Sequence, residues 1–461
     1  MIANYLVRIS LAPPLASWVA SLLIASSNGS MAQVLELPTP PISPAPLVQL
    51  GYDAEGNLTM QVLAPKVDSS RGQNLISTQT YDSLGRRKTH SDSRNGLTQF
   101  TYDGLDRLIQ VQDPRKLKTQ YRRNGLGELQ MLDSPDAGIS LATFDAAGHV
   151  KTLADARGFF RSFEYDALNR LKVLQLRSPI DDSLRSFSWT YDLNDELHGY
   201  GVGRLGRAQS PEVSSDYRYD VRGRVLETRT ILQGDTASLS VSYGHDPVGR
   251  VTGIHYPSGR FVSFHYEQGQ LASIKLQADT SSAALTLLSQ IRHSPFGPVQ
   301  SWRWQQAGGN SSLHERLFDI YGRPLRYTLG NWARDLSYDT ADRIGAYAHY
   351  ELSSAAPVAA LNQSFTYDEL GRLISANMGA QNWSYAYDSN GNRTQARNSG
   401  GQRGYTIADT SNRLVSISNP MRALSYDAAG NILSDANGGS AYTAVYNHEG
   451  RLAELSSGSL V

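Results

Sequence analysis

Cysteine is absent from the 461 residues, which excludes disulfides, thiolate metal sites and cysteine nucleophiles in one step. Net charge is absent too. The 43 Lys and Arg balance 43 Asp and Glu, so no basic field points to nucleic acid and no acidic excess to a disordered chain. Three common signatures are missing: the HExxH zinc helix, the GxSxG nucleophile turn and the phosphate-binding loop. What the chain does have is tyrosine, 25 against 11 Phe and 6 Trp, together with 40 glycines. Tyrosine with plentiful Gly, Ser and Thr suits half-exposed strands joined by tight turns.

The N-terminus reads as an export signal over residues 1–32. Arg8 supplies the positive start, "LASWVASLLIA" (Leu15–Ala25) the apolar core, and Ser30-Met31-Ala32 the small residues before a cut after Ala32. Counted even from Leu11, the run is shorter than the ~18–20 residues that span a bilayer, so no transmembrane anchor is expected. Without cysteine a lipoprotein anchor is excluded. Residues 33–47 then form a proline-rich linker, "LPTPPISPAP" (Leu37–Pro46), expected as an extended, poorly ordered tether.

From Val48 onward one phrase recurs. "YDSLGRR" begins at Tyr81, "YDGLDRL" at Tyr102, "YDALNRL" at Tyr165, "YDELGRL" at Tyr367 and "YDAAGNI" at Tyr426. Further copies stand at Tyr52, Phe144, Tyr219, Phe318, Tyr338, Tyr387 and Tyr446, with weaker ones at Tyr121, Tyr191, Tyr243, Tyr256, Tyr266 and Tyr405. Many lie about twenty residues apart, the spacing of a repeat architecture.

One unit, Leu97–Asp113, shows what the repeat is. Phe100 and Tyr102 share one face and Gln99 and Thr101 the other, and alternation resumes after the turn with Ile109 and Val111. Between them Asp103-Gly104-Leu105-Asp106 has the length of a four-residue hairpin loop built on a type I turn. An aspartate at the entrance accepts from backbone N–H groups two residues on. Tyr-Asp pairs fill the entrance at Tyr52-Asp53, Tyr81-Asp82, Tyr165-Asp166, Tyr219-Asp220, Tyr338-Asp339, Tyr367-Asp368, Tyr387-Asp388 and Tyr426-Asp427. The fourth loop position needs a left-handed backbone, which only Gly, Asn and Asp adopt easily. That position holds Gly56, Gly85, Asp106, Gly148, Asn169, Gly223, Gly249, Gly322, Asp342, Gly371, Gly391, Gly430 and Gly450. Every departure from glycine is Asn or Asp, so the phrase reports turn geometry.

The expected fold class is all-β: an array of hairpins over residues 48–452, pairing side by side into a long curled antiparallel sheet, with a short tail at 453–461. The tyrosines are expected to stack as an aromatic ladder contributing about 0.2–1 kcal/mol per cross-strand pair. A ribbon of this many strands, ~170 Å by ~26 Å, would close on an inner radius of only ~14 Å. A 100-residue passenger needs about 17 Å, so the chain alone is expected to make a partial or self-filled shell.

The repeat resembles the YD (Tyr-Asp) repeat of the RHS, or rearrangement-hotspot, family of bacterial polymorphic toxins, wall-associated proteins and, distantly, teneurins. "GVGRL" (Gly201–Leu205), "YPSGR" (Tyr256–Arg260) and "HSPFGPV" (His293–Val299) strengthen the likeness, which covers about Val48 to the C-terminus. The resemblance implies a spiral β-shell, which in complete members encloses a C-terminal effector. This sequence departs there: "AELSSGSLV" follows Leu452, with no core plug, cleavage signature or toxin, and "DPVG" (Asp246–Gly249) reads as one more hairpin turn.

Residues that repeat at every turn do not make the single convergent cluster of an active site, so no enzyme, cofactor or metal site is expected. His245, His255 and His265 should not converge, because the turn at Pro257–Gly259 sets His265 opposite the neighbourhood of Val251. The turn arginines, among them Arg86, Arg107, Arg170, Arg224, Arg250 and Arg372, read as a row neutralised by neighbouring acids or as an anion-binding stripe. Two functions stay open: a secreted bacterial scaffold or partial shell, and a carbohydrate-binding module at the cell surface or wall using Trp302, Trp304, Trp332 or Trp383. Expected partners are other shell proteins or a second copy through open sheet edges, or a wall glycan, with no nucleic acid.

Overall fold

The computed structural model describes residues 37–64, 74–279, 281–295, 297–305, 309, 311–437 and 440–458. The stretch read as an export signal lies outside them. The described chain is all-β, with 36 strands and a single 3-10 turn at Ala359–Leu361. Each pairing is antiparallel and joins strands that follow one another in the chain, as in the ladder from Leu97–Tyr102 to Leu108–Gln112 and on to Lys118–Arg123. Alternate side chains are half-buried, and Thr98, Phe100 and Tyr102 share the covered face of their strand.

The hairpins share one irregularity. At the tyrosine position the register slips: Thr101 faces Gln110, but Tyr102 faces Leu108, which leaves Ile109 as the extra residue. The same slip occurs at Thr80/Tyr81, Glu164/Tyr165, Ser337/Tyr338, Thr366/Tyr367 and Ser425/Tyr426. The loop itself is one residue tighter than the sequence suggests. Asp103 N–H bonds to Arg107 C=O (2.9 Å) and Asp106 N–H to Asp103 C=O (3.2 Å), so three residues turn the chain and the third begins a G1-type bulge.

This slip sorts the weaker copies. Tyr191 and Tyr266 occupy the slipped position. Arg123, His245 and Ile407 hold it, two residues beyond Tyr121, Tyr243 and Tyr405, which the sequence phrase singles out. Tyr256 begins a turn at the opposite end of its strands, bonding Arg260 (2.9 Å).

Fully buried apolar side chains are few and scattered among the described residues; Ala64, Leu176, Ala333 and Leu336 are examples. Stability is therefore carried mainly between neighbouring strands, as in other repeat folds. The chain divides into two compact units, each made of an early and a late stretch: residues 1–97 with 317–384, and residues 98–316 with 385–461. The array begins at Val48 as read from sequence and ends later. The last strand, Leu452–Ser457, carries the array into the stretch read as a tail. In the proline-rich stretch, Pro38 and Ser43 are hydrogen-bonded to residues 326 and 338 of their own unit.

Candidate functional site: the laced turns

In the Tyr-Asp turns the carboxylate of the repeated phrase is held by its own turn. Asp103 Oδ1 accepts from the backbone N–H of Leu105 (2.9 Å) and of Arg107 (3.0 Å), and Oδ2 accepts from Arg107 Nε (2.7 Å). The same carboxylate–guanidinium closure recurs at Asp82–Arg86, Asp166–Arg170, Asp220–Arg224, Asp246–Arg250, Asp339–Arg343 and Asp368–Arg372. Where the arginine is replaced, Asn57, Asn392 and Asn431 donate to the same oxygen. The Arg107 guanidinium, followed by the backbone N–H groups, holds the Asp103 carboxyl down to about 2.

The left-handed positions have one backbone conformation throughout. Gly56, Gly85, Asp106, Gly148, Asn169, Gly223, Gly249, Gly322, Asp342, Gly371, Gly391, Gly430 and Gly450 all lie between φ +62° and +98°. "DPVG" is such a turn, closed by Asp246 N–H to Arg250 C=O (3.0 Å).

Tyrosine and arginine join one turn to the next. Tyr338 donates its hydroxyl to Pro324 C=O (2.8 Å), Tyr367 to Ile344 C=O (2.8 Å), Tyr219 to Leu205 C=O (2.8 Å) and Tyr266 to Val251 C=O (3.0 Å). Each accepting residue follows the arginine of the preceding turn, and that arginine covers the tyrosine ring: Arg323 over Tyr338 (4.7 Å), Arg343 over Tyr367 (4.8 Å), Arg170 over Tyr191 (4.3 Å) and Arg250 over Tyr266 (4.4 Å). The aromatic ladder expected from the sequence is thus replaced by alternating Arg and Tyr, a cation–π row. Remaining guanidinium N–H groups reach the next turn, as Arg107 Nη1 does to Asn124 C=O (2.8 Å) and Arg224 Nη1 to Asp246 C=O (2.7 Å). The arginines are therefore engaged as turn-to-turn clamps. Of the two sequence readings, the row neutralised by neighbouring acids describes them: each pairs with the aspartate of its own turn.

The turns at the other end of the strands carry a second pattern, which sequence reading passed over. "DSR" (Asp92–Arg94), "DPR" (Asp113–Arg115) and "DAR" (Asp155–Arg157) aim an arginine at the late part of the same unit. In the first unit Arg94 pairs with Asp368 (3.3 Å). In the second, Arg115 bonds Ser411 C=O (2.8 Å) and Ala408 C=O (2.8 Å), and pairs with Asp388 (3.4 Å). Asp136 accepts from Asn412 Nδ2 (3.0 Å), and Arg157 reaches Asn447 C=O (3.3 Å). These contacts form a seam between early and late hairpins of one unit.

The remaining candidates lie apart from one another. His255 stacks on Phe261 (4.1 Å) while His265 faces Ser273, so these histidines do not converge. Trp302 lies between His314 (4.0 Å) and Arg316 (4.8 Å), whereas Trp304 and Trp332 are 47% and 39% exposed. Buried His198 lies between Asp195 (2.7 Å) and Asp216 (3.2 Å), where it fastens the loop containing "GVGRL" to its neighbour strand. That loop needs its glycine: a Cβ at Gly201 would meet Leu193 C=O at 1.9 Å. Among the described residues no group of three or more His, Asp or Glu side chains could hold a metal ion.

Comparison with known proteins agrees with this geometry. Residues 332–457 match the teneurin YD-shell family, and residues 81–118 match the RHS repeat. Over those two stretches the chain carries YD-shell and RHS repeats. Among solved structures, a Photorhabdus luminescens Tc holotoxin pore carrying a TccC3 mutation is similar over 88% of this chain at 16% identity and a TM-score of 0.72. A TcdB2–TccC3 crystal structure without its hypervariable C-terminal region is similar over 88% at 16% identity and a TM-score of 0.70. The chain spans 24% and 25% of those two chains, about a quarter of their length, and at such identity the likeness is one of fold. No curated protein sequence matches it.

Proposed function

We propose that the chain is a structural wall: a secreted scaffold or partial shell segment related to RHS-type toxins, with no catalytic role of its own. The observation that carries this reading is the use of the repeated Tyr, Asp and Arg. Hydroxyls, carboxylates and guanidinium groups of the repeated phrase are used to close and join turns, which supports a structural role for them. The proteins of similar fold come from structures described as a Tc holotoxin and TcdB2–TccC3 assemblies, which supports a role beside other proteins. Among the described residues no helix is long and apolar enough to cross a membrane, and export would follow from residues 1–32.

Exposed Trp304 and Trp332 favour a second reading, a wall- or surface-glycan module that stacks sugar rings on indole. A glycan array together with a peptidoglycan pull-down separates the two. The scaffold reading expects no saturable binding. Saturable binding that Trp304→Ala or Trp332→Ala abolishes would replace it with the glycan reading.

A further inference from the structure

The proline-rich stretch before the array carries an inference independent of the scaffold reading. A proline-rich chain in the polyproline II conformation has free carbonyls and few N–H groups, so a site that recognises it must supply donors. The first unit supplies two.

The first donor is Arg326. It is 8% exposed and clamps the almost fully buried Asp335, 1% exposed, across the strands Pro324–Leu329 and Trp332–Tyr338. Its Nη2 bonds Asp335 Oδ2 (2.7 Å) and also donates to Pro38 C=O. A buried ion pair is tolerated only when its leftover protons are satisfied, and the Pro38 carbonyl does this. A cross-strand Arg–Asp pair in the other unit, Arg422–Asp435, provides the contrast. Its arginine side chain is 38% exposed, against 10% for Arg326.

The second donor is the backbone N–H of Tyr338. The ladder between the two strands runs from Leu329↔Trp332 to Arg326↔Asp335 and stops short of Tyr338, where the register slips on the other side. The released N–H donates to Ser43 Oγ (2.9 Å). Ser43 to Pro46 are half-buried while Ile42 points to solvent, 98% exposed. Five residues separate the two contacts in the chain, a span of ~15 Å for a polyproline II segment rising ~3.1 Å per residue.

We propose that the Arg326–Tyr338 surface is a binding site for an extended, proline-rich peptide, and that residues 37–46 fill it in cis as a strap. The stretch read from sequence as a tether is then a ligand of its own unit, and a similar segment presented at high local concentration would compete for its place.

Hydrogen–deuterium exchange on the full chain tests the strap. The Tyr338 amide, which donates to Ser43, is expected to exchange at least ~10-fold more slowly than an open amide. Ser43→Ala should speed exchange at Tyr338 about 10-fold and leave the amides of residues 332–335 unchanged. An unprotected Tyr338 amide, or Tyr338 protection indifferent to Ser43→Ala, would overturn the proposal. The receptor property is read on a full-length variant in which residues 37–46 become a Gly-Ser stretch. Once circular dichroism shows it folded, it is titrated with a labelled peptide of residues 37–47. Saturable binding, weakened at least ~10-fold by Arg326→Ala, is expected; the absence of saturable binding sinks the receptor claim. If that variant fails to fold, the exchange measurements on the full chain decide.

Discussion

Within the second unit the same turn occurs in two settings. The early turns, such as those at Asp103 and Asp166, carry Leu105 and Leu168 at their tips, 66% and 68% exposed. The late turns present Asn390, buried Ser411 and Ala428 to the seam, where Arg115, Asp136 and Arg413 meet them. Closure is identical in both: Asp103 N–H to Arg107 C=O and Asp427 N–H to Asn431 C=O are each 2.9 Å. The turn is thus a local product of its own residues, while its tip answers to whatever part of the array arrives beside it. Large apolar tips are kept where nothing of the unit lies against them, and small or amide tips where an arginine must reach backbone carbonyls.

Acid should break the early turns, and this is the largest effect expected. The Asp103 carboxyl is held at about 2, chiefly by Arg107, while Asp166 and Asp220 are held below the usual range first by the backbone N–H groups of Arg170 and Arg224. A carboxyl whose folded value is depressed adds stability that is complete above its unfolded value near 3.9 and is lost as pH falls through the folded one. The melting temperature should therefore hold above about pH 4 and fall steeply toward pH 2. A flat profile across that window would contradict the closure chemistry.

Next comes the seam alone. Arg115→Ala strips one side chain from two carbonyls and a half-buried carboxylate, and should cost about 2–4 kcal/mol in urea unfolding. A loss under ~1 kcal/mol would mean that the seam is held elsewhere.

The left-handed position distinguishes the two settings at intermediate size. A Cβ at Gly430 would meet Asp136 C=O at 2.5 Å across the seam, whereas Gly249 has nothing within 4 Å. Gly430→Asn should cost about 1–3 kcal/mol and Gly249→Asn less than ~1, although both positions have φ suited to glycine. Equal costs would show that backbone conformation alone limits the late turns. Smallest of all, Leu126→Ser at an 86% exposed tip should shift the unfolding midpoint by no more than about 0.5 kcal/mol.

Much of this was legible in the residues, because the information is local. Asp103, Arg107 and the left-handed residue between them lie within five positions, so spacing and the Gly/Asn/Asp restriction disclose the hairpin without any distant contact. The tyrosine was half-read. Its aromatic period suggested stacked rings, but the register slip at each tyrosine sets its ring under an arginine and its hydroxyl on a carbonyl of the preceding hairpin. "DPR" and "DAR" were in plain view as a signal for the seam, but nothing nearby in the chain indicates what Arg115 touches, since its partners lie almost three hundred residues away.

The sequence by itself determined the turn, the strand alternation and the hairpin array, since each rests on sterics and hydrogen bonds within a few residues. Only the tertiary structure decided where Arg115 and Arg157 end, and that Pro38 and Ser43 meet Arg326 and Tyr338. Those choices depend on accumulated strand twist and register over hundreds of residues, a sum of small angles that no single repeat contains.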